Sequence, residues 1–113
     1  ESHAILRYLC LRHGGEALYP SDPAKRVFVE QWMDWVAYDL THAMRGAFLG
    51  GQLQEAPWSN PWFVEQGRRD FTHCIGLLEA EFAGGKPFIC GDAFTLADIP
   101  MGLVVNRWFA VQG

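Results

Sequence analysis

Twice in this chain a short polar residue stands directly before a proline at the head of a long apolar-periodic run, at Asp22-Pro23 and at Asn60-Pro61. Proline at the first helical position sacrifices no hydrogen bond, and an Asp or Asn before it can cap the free N–H groups. Each pair therefore predicts a helix start. After the first, Val27, Phe28, Gln31, Trp32, Trp35, Leu40, Ala43, Met44 and Phe48 follow a helical pattern as far as Leu49, and Gly46 predicts a bend near the end. After the second, Val64, Phe71, Ile75, Leu78 and Phe82 share an inward face, with Gly84 just past the end. A shorter helix capped by Ser2 carries Ile5, Tyr8 and Leu9 and stops at Gly14, and a last one runs from Thr95 toward Phe109. Residues 52–59 and 86–92 read as loops. With no strand alternation and no hairpin signal, the expected fold is all-α.

Length and charge narrow what such a bundle can do. One domain at most fits into 113 residues, half of them hydrophobic. Nine Lys and Arg against thirteen Asp and Glu leave a net charge of −4, which argues against nucleic acid as a partner. Asp39 and Arg45 interrupt the most apolar stretch, so no membrane-spanning segment is expected. The chain starts on Glu-Ser with neither Met nor signal peptide, as expected of a piece of a longer protein. Cys10, Cys74 and Cys90 are odd in number, widely spaced and set among apolar neighbours. They read as small hydrophobes in a reducing, cytoplasmic compartment, and neither they nor the four unpaired histidines form a metal motif. Gly-rich phosphate-binding motifs are also missing.

The local sequence is most specific at Thr95-Leu96-Ala97-Asp98. Here the spacing fits a capping box, Thr95 bonding forward to the Asp98 amide and the Asp98 carboxylate bonding back to the Thr95 amide. Phe94 and Ile99 stand where a hydrophobic staple would place them, and Pro100 falls in the first turn, where its missing N–H costs little. Asp98 is therefore read as a structural cap and not as a catalytic acid.

Around this junction, Phe88-Ile89-Cys90-Gly91-Asp92-Ala93-Phe94-Thr95-Leu96-Ala97-Asp98 resembles the F-L-x-G-D-x-x-T-x-A-D signature of the C-terminal helical domain of glutathione S-transferases. Glu1-Ser2-His3-Ala4-Ile5-Leu6-Arg7-Tyr8-Leu9 resembles the E-S-x-A-I-x-x-Y-L stretch that closes that family's thioredoxin-like domain, and Gln31-Trp32-Met33-Asp34-Trp35 the first long helix of theta-like and bacterial members. The resemblance implies that residues 1–19 are the last helix of the thioredoxin-like domain with the interdomain linker. Residues 20–113 would be an incomplete C-terminal helical domain.

It also implies a chemistry. The γ-glutamyl end of glutathione carries a carboxylate, which suits a helix N-terminus with a serine hydroxyl, and an ammonium, which suits a neighbouring acid. Glu1 and Ser2 match the pair that holds this group in the family, although the same residues could serve only as a helix start. Tyr38, Thr41, His42 and Arg45 lie on the helix that in the family lines the pocket of the electrophilic co-substrate. With Asp34 they form a polar stripe that could equally be a solvated face. Trp32 and Trp35 read as core or interdomain packing. The implied protein is a cytoplasmic, homodimeric glutathione transferase that takes glutathione as co-substrate with a small electrophile and uses no metal. Its thiol-activating residue has no counterpart in this chain. A non-catalytic helical interaction domain, of the kind appended to translation factors and synthetases, is the alternative.

Overall fold

Both Asx-proline pairs start helices as their local chemistry dictates. In the computed structural model, which describes residues 1–112, the Ala24 N–H donates to Asp22 Oδ1 at 3.2 Å and the Trp62 N–H to Asn60 Oδ1 at 2.9 Å. Five α-helical segments follow: α1 (Ser2–Arg12), α2 (Pro23–Trp35), α3 (Thr41–Arg45), α4 (Pro61–Phe82) and α5 (Asp98–Gln112). Among the described residues there is no β-strand, only an isolated bridge between Phe88 and Gly91 that closes the 86–92 loop. The fold is all-α.

From α2 to α3 and beyond, the helix does not break but widens. Val36–Leu40 and Gly46–Gln52 are π-helical turns on either side of α3, so one continuous helical run spans 23–52. The expected bend at Gly46 is the start of the second π turn. Gly46 is there to let another helix in: a Cβ would overlap the Phe63 carbonyl, and a Cβ on Gly67 of α4 would lie 2.5 Å from the Ala47 nitrogen. The two longest helical runs touch backbone to backbone at this point.

The core is written in steps of four and three residues. Val29, Met33, Val36, Leu40, Ala43 and Ala47 face inward along the 23–52 run, opposite Phe71, Cys74 and Leu78 of α4 and Met101 and Val104 of α5. Leu40, Ala43 and Met44 are buried as the sequence pattern predicts, but Val27 and Phe28 are more than half exposed, and Val29 and Met33 take their place in the core. The run has two apolar sides, and burial selects the one that faces α4. At the centre, Phe71 is fully buried and meets Trp108 edge-to-face at 5.3 Å. A side chain of that size contributes about 2–3 kcal/mol by leaving water.

Two helix starts, those of α1 and α5, differ by a residue or more from expectation. Glu1, and not Ser2, is the N-cap of α1, because its carbonyl already accepts the Ile5 N–H at 3.1 Å; Ser2 is the first helical residue. Helix α4 ends at Phe82 with Gly84 just past it, as expected, and the chain turns away at Gly85, whose φ of +89° lies in the left-handed region. Helix α5 starts at Asp98, not Thr95.

The capping box is present in half. Asp98 Oδ2 accepts the Thr95 N–H at 2.9 Å, but Asp98 Oδ1 accepts the Ile89 N–H at 3.1 Å, and the Thr95 hydroxyl turns to Cys90 Sγ at 3.5 Å. One carboxylate thus ties the 86–92 loop to the start of α5, with Ile89, Leu96 and Ala97 buried beneath it. Phe94 meets Phe88 edge-to-face at 5.7 Å, and both Phe94 and Ile99 remain exposed, so the expected staple gives way to an aromatic pair. Asp98→Ala, which strands both N–H groups, should destabilise the chain by about 3 kcal/mol in urea unfolding. Asp98→Asn keeps one acceptor and should fall between. An Asp98→Ala midpoint equal to the parent's would contradict this role.

Candidate functional site

Helix α1 brings its N-terminus against the side of the 23–52 run, and a cleft of about 390 Å³ opens where they meet. Glu1, Ser2, His3, Ala4 and Arg7 line it from α1; Asp34, Ala37, Tyr38, Thr41 and Arg45 line it from the other side. The spacing explains the second set, since positions 34, 37/38, 41 and 45 recur at three to four residues and share a face. The structure thus brings together Glu1, Ser2, Tyr38, Thr41 and Arg45. His42 does not join them. It borders a separate groove of about 360 Å³ with Asp70, His73 and Cys74.

Tyr38 is the ridge between the grooves. Its ring, 75% exposed, borders the cleft, the His42 groove and a third of about 590 Å³ floored by Trp32, Trp35 and Leu77. Trp32 and Trp35 stand edge-to-face at 5.6 Å, half-buried against the core, which fits the packing role read for them.

The cleft can receive both signs of charge. The first intrahelical bond of α1 is made by the Ile5 N–H, so the amides of Ser2, His3 and Ala4 have no partner within the helix and present the positive end of its dipole. Arg45 adds a cation from the facing wall, and Glu1 and Asp34 supply carboxylates. Arg7 is engaged at the base of the cleft, donating from Nε and Nη2 to the two oxygens of Glu30 at 3.1 and 3.0 Å, with Asp34 3.9 Å away. Burial pulls the His3 imidazole below its ordinary value, and Arg7 beside it adds to the shift, against the opposite pull of Asp34, Glu1 and Glu30. The fold therefore favours the neutral imidazole. His3, Arg7 and Asp34 were not among the candidate site residues. Their signal was the i, i+4 spacing of His3 and Arg7 on the face that Ser2 opens.

Burial pushes the Cys74 and Cys90 thiols up, so neither is a thiolate at neutral pH. Among the described residues no group of three or more His, Cys, Asp or Glu could hold a metal ion. No helix there is long and apolar enough to cross a membrane.

No family model matches the chain. It is 32% identical over 111 residues to glutathione S-transferase GstB of Escherichia coli (strain K12), a match covering 98% of this chain and 53% of that protein. The apo crystal structure of the theta class glutathione S-transferase of Xanthomonas axonopodis pv. citri superposes with a TM-score of 0.82 at 29% identity, over 96% of this chain and 57% of that one. The glutathione-bound form gives 0.81 at 29% identity, over 96% and 52%. The chain is glutathione S-transferase-like, and it matches the C-terminal region of those proteins. It spans about half the length of the curated relatives that head the comparison. Elongation factor 1-gamma 1 of Oryza sativa subsp. japonica is also similar, 30% identical over 97% of this chain and 26% of that protein.

In this glutathione S-transferase-like chain the state of His3 carries a pH signature. Folding favours the neutral imidazole, so the unfolded chain binds the proton more readily. The stability this contributes is complete above the ordinary histidine value of 6.5 and is lost as pH falls below it. His3→Gln removes the titrating group, so urea midpoints between pH 7 and pH 5.5 should fall less in the variant than in the parent. Equal losses would show that His3 titrates as a free surface group.

Proposed function

We propose that this chain is part of a glutathione transferase, an enzyme that joins the glutathione thiolate to the electrophilic carbon of a small substrate. The cleft at the N-terminus of α1 is the γ-glutamyl subsite. The carboxylate of that group takes the free amides and hydroxyl at Ser2, and its ammonium lies between Glu1 and Asp34. The observation that carries this reading is the meeting of helix N-terminus, hydroxyl, acids and Arg45 in one cleft. A chain similar to a protein crystallised with glutathione bound adds to it. Tyr38, Thr41 and Arg45 form one wall of the electrophile pocket, and His42 stands on its outer side.

Helix α1 is the last helix of a thioredoxin-like domain. It buries no residue of its own and exposes Ile5, Tyr8, Leu9 and Leu11, the surface such a domain would cover. Activation of the thiol belongs to that domain, since burial holds Cys74 and Cys90 as thiols and no residue here matches the activating group. The protein works without a metal in a reducing, cytoplasmic compartment, and its exposed aromatic surface, Trp62 included, is covered in a homodimer. Light scattering across a dilution series tests the last point. A monomer at tens of micromolar would refute it.

The similarity to elongation factor 1-gamma favours a second reading, a helical interaction domain without catalysis. Ser2 separates the two. Under the transferase reading, Ser2→Ala weakens glutathione binding by about 1–3 kcal/mol, the loss of one hydrogen bond to a charged group, as measured by calorimetric titration. A docking module would bind no glutathione with or without the hydroxyl.

A further inference from the structure

Helix α1 carries the Ser2 end of the cleft, yet none of its residues is fully buried. Its apolar attachment to the core rests on the half-buried Leu6 and Cys10, and at its far end the Gly15 N–H donates to the Cys10 carbonyl at 2.7 Å. Ser2 lies about 6 Å along the helix axis from Leu6 and about 12 Å from Cys10. With no apolar contact of its own, the first turn would swing about these two.

Glu30 stops the swing. Both of its oxygens accept from the Arg7 guanidinium, at 3.1 and 3.0 Å. A two-pronged bond of this kind fixes orientation as well as distance, which a single point contact does not. The Glu30 carboxylate is itself held, because the hydroxyl of the buried Tyr19 donates to Oε1. The Tyr19 ring is in turn covered by the Arg26 guanidinium at 3.9 Å, and Arg26 Nε donates to the Pro20 carbonyl at 2.7 Å. Arg7 lies about 7.5 Å along the axis from Ser2, so its fork sets where the helix N-terminus points.

We propose that Glu30, which touches no ligand, is the positioning residue of the cleft: through Arg7 it fixes α1 so that Ser2 faces Tyr38 and Arg45. The proposal rests on the reading of the cleft as a γ-glutamyl site. Glu30 also draws the Arg7 guanidinium, which lines the cleft, away from Asp34. Without it, the nearest carboxylate to the guanidinium is Asp34, already at 3.9 Å, and Arg7 would neutralise the acid meant for the ligand's ammonium. Two effects then act together, a displaced N-terminus and a lost acid.

Reduced glutathione titrated into the isotope-labelled 113-residue chain, followed at the amides of Ser2, His3 and Ala4, tests this. Glu30→Gln should raise the dissociation constant about tenfold, the size of losing one hydrogen bond to a charged group of the ligand. Arg7→Met, which frees α1 but leaves Asp34 unpaired, should weaken binding in the same direction but less, and the double variant should bind no worse than Glu30→Gln. The reversed pair Arg7→Glu with Glu30→Arg should recover much of the loss. Hydrogen exchange should quicken at the α1 amides of Glu30→Gln and not at those of α4, a difference that general destabilisation would not produce. If Ser2→Ala weakens binding while Glu30→Gln and Arg7→Met leave affinity and α1 exchange unchanged, the positioning role is overturned and the site reading stands. Quickened exchange throughout the chain in parallel with weaker binding overturns it as well. No response of the parent's amides to glutathione overturns the site reading, and the proposal with it.

Discussion

A single carboxylate, that of Asp98, joins two segments that share no helix, and the rest of the molecule is strung from it. Its oxygens hold the amides of Ile89 and Thr95, which sets the 86–97 segment over the core. From there the Leu96 N–H donates to the Leu18 carbonyl at 2.9 Å, which locates the linker. Tyr19 follows in that linker and gives its hydroxyl to Glu30, and Glu30 holds Arg7. The cleft at Ser2 is therefore connected to the start of α5 by a chain of charged and backbone hydrogen bonds, each restricting a separate element. Charged acceptors suit this use because their bonds are the strongest and most directional available to a half-buried surface.

The opposite wall of the cleft is fixed by contact alone. Gly46 and Gly67 let the 23–52 run and α4 meet backbone to backbone, and the π turns around α3 keep the run continuous. Tyr38, Thr41 and Arg45 then stand one above another along a single face, about two turns from first to last. One wall is built by packing and the other hangs from ion pairs, so the two differ in stiffness. The wall made by α1 is the softer, and pH acts on it through His3 and Glu30. The Glu30 carboxylate, although burial raises it, is drawn below the usual range by Tyr19 and Arg7.

What the sequence made legible was whatever is local. Asp22 and Asn60 cap as read, because a cap and its proline occupy consecutive residues. The back-bond from Asp98 to Thr95 was legible for the same reason. The partner that completes it, Ile89, lies nine residues away and is supplied by the folded loop. Periodicity alone could not choose between the two apolar sides of the 23–52 run, so Val27 and Phe28 read as core while Val29 and Met33 are the buried pair. Of the candidate site residues, those spaced along one face came together, and His42, one residue beyond Thr41, turned to the neighbouring groove. Arg7 and Asp34 could be seen as charges on helices but not as neighbours, because their meeting depends on how α1 crosses the run.

The central claim is that the cleft between α1 and the 23–52 run receives the γ-glutamyl end of glutathione. Intermolecular NMR contacts between bound glutathione and the isotope-labelled chain test it most directly. The account predicts contacts from the γ-glutamyl protons to Ser2 and to the Tyr38 ring, with the thiol end facing Thr41 and Arg45. Contacts confined to Trp32 and Leu77 in the neighbouring groove, or none at millimolar glutathione, would contradict it.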